Sequence, residues 1–206
     1  MMNFIKLLNN TQIESKHLIS REFKKNDTIY EEGEQPQSIY IIEEGVVGLF
    51  LISETGKETF LRIFGHGSIL GHRSYFAGEA YHATAICLTD CHFKCITKTD
   101  FNHIVSRNNE LLMNILRLMS QDLGFAEQRL AGLQDKSAPR RICESLLYLK
   151  IKGDGQIWTR KQIAEYSGTT TETVARVMTK LEKLSIIQKV KRDYQIIDQE
   201  KLLSYN

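Results

Sequence analysis

Residues 159–187, TRKQIAEYSGTTTETVARVMTKLEKLSII, leave this part of the chain little choice of local structure. Thr159 followed three residues on by Gln162 makes a capping box, in which the two residues satisfy each other's free backbone N–H groups at a helix start. Gly168 stands where that helix must stop, since glycine enters the left-handed region without a Cβ penalty. Thr170 then serves as N-cap for a second helix over about 171–184. Val174, Val177, Met178 and Leu181 fall at i, i+3, i+4 and i+7, a single apolar stripe, while Thr171, Glu172, Ala175, Arg176 and Lys180 occupy the other face. A short helix, a tight turn and an amphipathic second helix make a helix-turn-helix. The segment IIQKVKRDYQIID that follows reads as two short strands around Lys191–Asp193, a hairpin wing.

The outward side chains of that second helix suit double-stranded DNA. Arg176 can make a bidentate contact to guanine O6 and N7, and Glu172, one turn away, can accept from a cytosine amino group. The same pair is equally readable as an i,i+4 ion pair. Thr170 and Thr173, at the helix N-terminus, can bind phosphate with help from the helix dipole, or Thr170 can act as a plain cap; both roles are compatible. Arg160 and Lys180 are placed to meet the phosphate backbone. Charge agrees: residues 137–206 carry 13 Lys/Arg against 8 Asp/Glu, net +5, while residues 1–136 carry 14 against 17, net −3. A basic third on an acidic body points to a polyanion partner for that third, or else to a solvated basic face.

The first half has a different rhythm. From residue 20 to 97, short apolar runs (SIYIIEEG, VVGLFLIS, ETFLRIFG, ATAICL, CHFKCI) alternate with glycine-marked turns, and SETGKE reads as a hairpin tip. Such spacing predicts a compact antiparallel barrel or roll. At Thr99, a candidate cap for a short helix, the pattern becomes helical. Over about 108–134, Leu112, Leu116, Met119, Leu123, Ala126, Leu130 and Leu133 recur at alternating spacings of 4 and 3, the seam of a parallel coiled-coil dimer. Packing of that helix on its own β domain is the other reading. QDKSAPRR marks a boundary, with Ser137 capping a helix and Pro139 in its first turn. The expected division is a β-roll sensor over 1–106, a dimerisation helix over 107–135, and a DNA-binding domain over 136–206.

Several classes are disfavoured. No apolar run approaches the ~20 residues of a membrane span, and MMNFIKLLNN lacks the long apolar core of a signal peptide; a cytoplasmic location without membrane contact is expected. No nucleophile–base–orienter set or phosphate-gripping glycine loop points to an enzyme, and no catalytic residue is assigned. Cys87, Cys91 and Cys95 sit four apart with His92 beside them, but this matches no standard ligand spacing, so structural thiols rather than a metal site are expected; Cys143 is read as a core residue. His66, His72 and His82 are isolated histidines, weak support for haem or pH sensing.

Taken in order, the β-roll glycines, the long helix and TTTETVAR resemble the CRP/FNR family of bacterial transcription regulators along essentially the whole chain. The resemblance implies an α+β fold: an N-terminal cyclic-nucleotide-binding-type β-roll (a double-stranded β-helix or jelly roll), a long dimerisation helix and a C-terminal winged helix-turn-helix. It implies a homodimer on a two-fold DNA site, allosteric control from the N-terminal pocket, and RNA polymerase as a partner if the protein is an activator. Thr171 stands where the cAMP-receptor branch usually has arginine. That is closer to the FNR branch, whose TTGAT-like half-sites would have Glu172 and Arg176 at the central G·C pair and Thr171 and Ala175 against thymine methyls.

The stretch ILGHRSYFAGEAYHATAI, residues 69–86, is where the resemblance departs. Cyclic-AMP-binding members carry Gly-Glu at the head of this loop and Arg-Ser about ten residues later; here the pairs are Gly71-His72 and His82-Ala83. The ribose-holding carboxylate and the phosphate-neutralising guanidinium are both missing. Arg73 follows, but on an extended segment it would point the other way. Loss of two charge-assisted contacts, about 1.5–3 kcal/mol each, predicts no cAMP binding at cellular concentrations. The pocket is then either vestigial or holds a replacement effector near Gly71, His72, Arg73, Tyr75, Tyr81, His82 and Ala83, where two histidines and an arginine suit an anion, more so below about pH 6.5 where imidazole protonates. No haem or iron–sulfur cofactor is expected. Two rival readings are an effector-binding module that regulates a partner protein and a haem- or redox-sensing regulator.

Overall fold

In β3, Ser38–Glu44, four consecutive apolar side chains are buried because both faces of the strand are covered. Ile39 and Ile41 face one way and join Ile69, Ile96, Phe101, Leu111 and Ile115 in one core cluster. Tyr40 faces the other way and meets Tyr30 and Phe93, ring centroids 6.0 and 6.2 Å off. The period of two along a strand produces this division, and each fully buried large side chain contributes about 1.5–3 kcal/mol.

The computed structural model describes residues 17–55, 58–153 and 155–206. The chain divides into two compact units, residues 1–51 with 62–126, and residues 52–61 with 127–206. The strands of the roll are β1 (Ile19–Phe23), β2 (Thr28–Tyr30), β3, β4 (Val47–Ile52), β5 (Glu58–Phe64), β6 (Ile69–Leu70), β7 (Thr84–Cys87) and β8 (Cys91–Thr97). They form two four-stranded sheets, β1-β8-β3-β6 and β2-β7-β4-β5. Gly45 (φ 95°) turns the chain between β3 and β4 where only glycine fits: a Cβ there would lie 2.4 Å from Asp90 O and 2.5 Å from Cys91 Sγ. Of the SETGKE tip, Gly56 and Lys57 lie outside the described residues.

Among the described residues, three helices accompany the strands: α1 (His72–Ala77), α2 (Lys98–Ser106) and α3 (Asn109–Asp135). α2 begins earlier than its sequence suggests. Its cap is Thr97, whose hydroxyl accepts from Asp100 N, rather than Thr99, because β8 runs straight to Thr97 and leaves the chain to turn there. α3 buries Leu111 and Ile115 against the roll near its start. Further along it changes character: Leu116, Leu123 and Leu130 are exposed, Leu123 by 61%. Ala126 is exposed as well, and Leu112 and Met119 are half-buried.

In the second unit, α4 (Ala138–Lys152) is capped by Ser137 with Pro139 in its first turn. It packs with α5 (Arg160–Ser167), α6 (Thr171–Lys183), the hairpin β9 (Ile187–Val190) and β10 (Asp193–Ile196), and α7 (Gln199–Ser204). Ile142, Cys143, Leu146 and Leu149 of α4 are fully buried, as are Val174, Met178 and Leu181 of α6. Among the described residues no helix is long and apolar enough to cross a membrane.

Candidate functional site

α6 is presented by a braced frame. The Thr159–Gln162 capping box is formed, Thr159 N donating to Gln162 Oε1 at 3.0 Å, and Gly168 closes α5 in the left-handed conformation at φ 65°. Arg141 of α4 reaches the turn, donating to Ser167 O at 3.0 Å and Gly168 O at 3.2 Å, and so satisfies carbonyls that a helix end leaves free. Arg129 does the same for Tyr166 O at 2.7 Å while its guanidinium lies 4.2 Å from the Tyr166 ring centroid. Lys150 pairs with Asp193 and ties α4 to the wing. These cationic braces are not visible as sequence periodicity; each depends on a partner remote in the chain.

On α6, Thr170 Oγ1 accepts from Thr173 N at 3.2 Å and meets Thr173 Oγ1 at 3.1 Å, so both threonines are engaged at the helix start. Thr171, Glu172, Arg176 and Lys180 are exposed, and Ala175 is half-buried. The i,i+4 ion pairs of this unit are Arg140–Glu144 and Lys161–Glu165. Glu172 turns instead to the helix N-terminus, where its own backbone N–H and the Thr170 hydroxyl hold its carboxyl below the usual range. Arg160 is exposed, with Nε and a terminal nitrogen 3.2 and 2.9 Å from Tyr194 Oη. The wing adds exposed Lys189, Lys191 and Arg192.

The sensor loop differs from its expected form. Residues 72–77 are helical, bounded by Gly71 (φ 83°) and Gly78 (φ 71°), both left-handed. Arg73 therefore lies on a helix rather than an extended segment, exposed and 3.5 Å from Glu79. His72 is buried, its Nε2 is 3.8 Å from Asp122 Oδ2 on α3, and its Nδ1 has no hydrogen-bond partner among the described residues. Arg62 of β5 donates to the other oxygen of Asp122. His82 is half-buried; burial first, then the charges of Arg73 and Arg62, pull its pKa down to about 4. The expected gain of imidazole charge below pH 6.5 is therefore corrected for His82, which stays neutral until well below that. Two tyrosines serve packing. Tyr75 bonds Asn102 of α2 and lies edge-on to Phe101, while Tyr81 stacks on Tyr30 at 3.7 Å. Ala83 is buried, and a Cβ on Gly71 would meet Ser38 O at 3.0 Å. Arg62 and Asp122 were absent from the sequence expectation; their only sequence signal is a pair of charges beside apolar runs.

Cys87, Cys91, Cys95 and Cys143 are free and buried, and no group of three or more His, Cys, Asp or Glu among the described residues could hold a metal ion.

Residues 20–108 match the cyclic nucleotide-binding domain, and residues 140–205 match the Crp-like helix-turn-helix domain. The chain belongs to the CRP/FNR family of transcription regulators. It is 25% identical over 180 residues to the cAMP-activated global transcriptional regulator CRP of Salmonella typhimurium, covering 83% of this chain and 86% of that one. To the nitrogen fixation regulation protein FixK of Bradyrhizobium diazoefficiens it is 27% identical over 199 residues, covering 90% and 81%. Its fold is similar to that of FixK2 from Bradyrhizobium japonicum, with a TM-score of 0.81 over 92% of this chain and 97% of that one at 18% identity. Within this CRP/FNR member, then, the second unit carries the helix-turn-helix, and Arg62 and His72 of the cyclic nucleotide-binding domain meet Asp122 of α3.

Proposed function

We propose that the protein is a non-enzymatic, sequence-specific DNA-binding regulator that acts as a homodimer on a roughly palindromic operator with TTGAT-like half-sites. The observation that carries this reading is the face of α6: Thr171, Glu172 and Arg176 project outward from a helix whose opposite face is fully buried, and Glu172 does not consume Arg176 in an ion pair. Glu172 and Arg176 read the central G·C pair, Thr171 and Ala175 touch thymine methyls, and Arg160, Thr170, Thr173 and Lys180 position the backbone. Two chains associate through Leu112, Leu116, Met119, Leu123, Ala126 and Leu130. If the protein activates transcription, RNA polymerase is its further partner. An effector module acting on a partner protein would leave the exposed basic wing and the α6 face without a role.

The N-terminal pocket, on this reading, does not take cAMP. His72 is buried and turned to Asp122, His82 is neutral at physiological pH, Arg73 is paired with Glu79 and Arg62 with Asp122, so no carboxylate replaces the ribose partner and both nearby guanidiniums are already engaged. Calorimetric titration with cAMP is expected to give no heat; a dissociation constant in the low micromolar range or tighter would refute this point. For DNA, Arg176→Ala is expected to cost about 1–3 kcal/mol per half-site and to relax the preference at one G·C pair. Fluorescence anisotropy against an operator and its single-base variants reads both, and unchanged affinity with unchanged base preference rejects the assignment.

A further inference from the structure

Asp122 is a carboxylate in an unusual place. It lies on α3 beside Leu123 of the exposed seam, yet its side chain is only 19% exposed, between Arg62 of β5 at 29% and His72 of α1 at 6%. Burial pushes its carboxyl up, and His72 and Arg62 more than offset this, so it stays ionised with a pKa below the ordinary value. Arg62 is fixed from a second side by the Phe64 ring, 5.2 Å from its guanidinium carbon to the centroid. His72 leads the loop helix, and its Nδ1 is buried with no hydrogen-bond partner among the described residues. Arg73 and Arg62 lie close enough to His82 to lower its pKa, and Glu79 opposes them. Arg73 is met by Glu79 of the roll itself, whereas Arg62 is met by an anion from α3, beyond residue 108 where the match to the cyclic nucleotide-binding domain ends.

We propose that Asp122 is the pocket's built-in occupant: held by Arg62 and His72, its carboxylate takes the part of an effector's anionic group and keeps α3 docked on the roll in the DNA-binding state with no small molecule bound. This rests on the DNA-binding reading above and adds its regulation. A bound effector would hold a helix to a roll by touching both. Here Arg62 and His72 belong to the roll and Asp122 to the helix, so the protein supplies both halves of that bridge. The position beside Leu123 gives the contact leverage over the seam, because a one-residue step on a helix turns by about 100°, so fixing Asp122 on the roll also fixes the direction in which Leu123 points.

A double-mutant cycle on the full chain tests it, with Asp122→Ala, Arg62→Ala and the double variant. Operator affinity is read by anisotropy without nucleotide and with added cAMP, and amide hydrogen exchange is read over residues 116–126 without DNA. Wild type is expected to bind operator equally well with and without cAMP. Each single variant is expected to lose at least tenfold in affinity and to exchange several-fold faster over 116–126, and the double variant to lose no more than either single. Additive losses, or single variants within twofold of wild type in both readouts, overturn the clamp. Wild type that needs cAMP to bind DNA overturns it too, but leaves the DNA-binding reading intact. Wild type that binds no duplex under either condition, while exchange over 116–126 still responds non-additively, defeats the DNA-binding reading and leaves the contact itself supported.

Discussion

The recognition helix and the sensor loop use the same kinds of side chain to opposite ends. On α6, Arg176 and Lys180 stand in solvent and Glu172 is drawn to the helix start. Where α3 meets the roll, Arg62, His72 and Asp122 face one another in a half-buried cluster, and exposed Arg73 is paired with Glu79. An exposed, unneutralised set costs little in the free protein, because water solvates it, and gains when a polyanion arrives. A buried set must be neutralised at once, because desolvation of a lone charge costs several kcal/mol. The difference separates a surface waiting for a partner from one already completed. α3 carries both kinds at neighbouring positions: Asp122 turned in and Leu123 turned out.

The most severe way to break this contrast is to put a charge on the outward apolar surface. Leu123→Glu would place two carboxylates across the seam of a dimer, where they repel in a poorly solvated site. The expected product is a monomer, with operator binding weakened by orders of magnitude, since each half-site then binds alone. Sedimentation velocity decides it: an unchanged dimer removes Leu123 from the interface.

A milder test asks on which side of the contrast Arg160 falls. It is exposed like the α6 set, yet it spends hydrogen bonds on Tyr194 Oη. If it grips phosphate, Arg160→Ala weakens binding to all sequences alike and flattens the plot of log affinity against log salt by about one unit of slope. An unchanged slope with a lowered melting temperature would make Arg160 a brace for the wing and move it to the completed set.

What the sequence made legible follows the same division. The α5–α6 unit was readable because its determinants are local: a capping box spans three residues, a left-handed glycine ends a helix by itself, and an apolar stripe declares its face. Even the small error at α2, capped by Thr97 rather than Thr99, is a contest between two threonines that only the end of β8 settles. The sensor loop was less legible. Six residues between two glycines, with no side-chain cap at Gly71, give no helical period to read, and α1 forms through what it packs against. The packing partners of Tyr75 and Tyr81, Phe101 and Tyr30, lie far off in sequence, so no local pattern reveals those contacts. Asp122 carries no local signal for the same reason: it lies one position off the leucine seam, and its partner Arg62 is sixty residues away.

The smallest expected effect lies in the completed set, at His82. Its folded pKa is about 4, against an ordinary value of 6.5, because burial and then the charges of Arg73, Arg62 and His72 disfavour the imidazolium, with Glu79 opposing them. The unfolded chain takes up a proton as pH falls through 6.5, and the folded chain does not until pH approaches 4. Stability is therefore lost on acidification across that window, because the unfolded state binds more protons there, and the loss is complete below about pH 4. Allowing for solvent screening of a half-buried ring, the contribution is on the order of 1 kcal/mol. His82→Gln keeps a polar neutral side chain and removes the titration. Urea unfolding of both proteins at intervals from pH 7 to pH 4 separates this histidine from every carboxylate they share. The difference between the two curves is expected to be flat above pH 6.5 and to move in the variant's favour below it. A difference that stays constant throughout would mean that His82 is solvated and that the cationic cluster around Asp122 extends no further than Arg62 and His72.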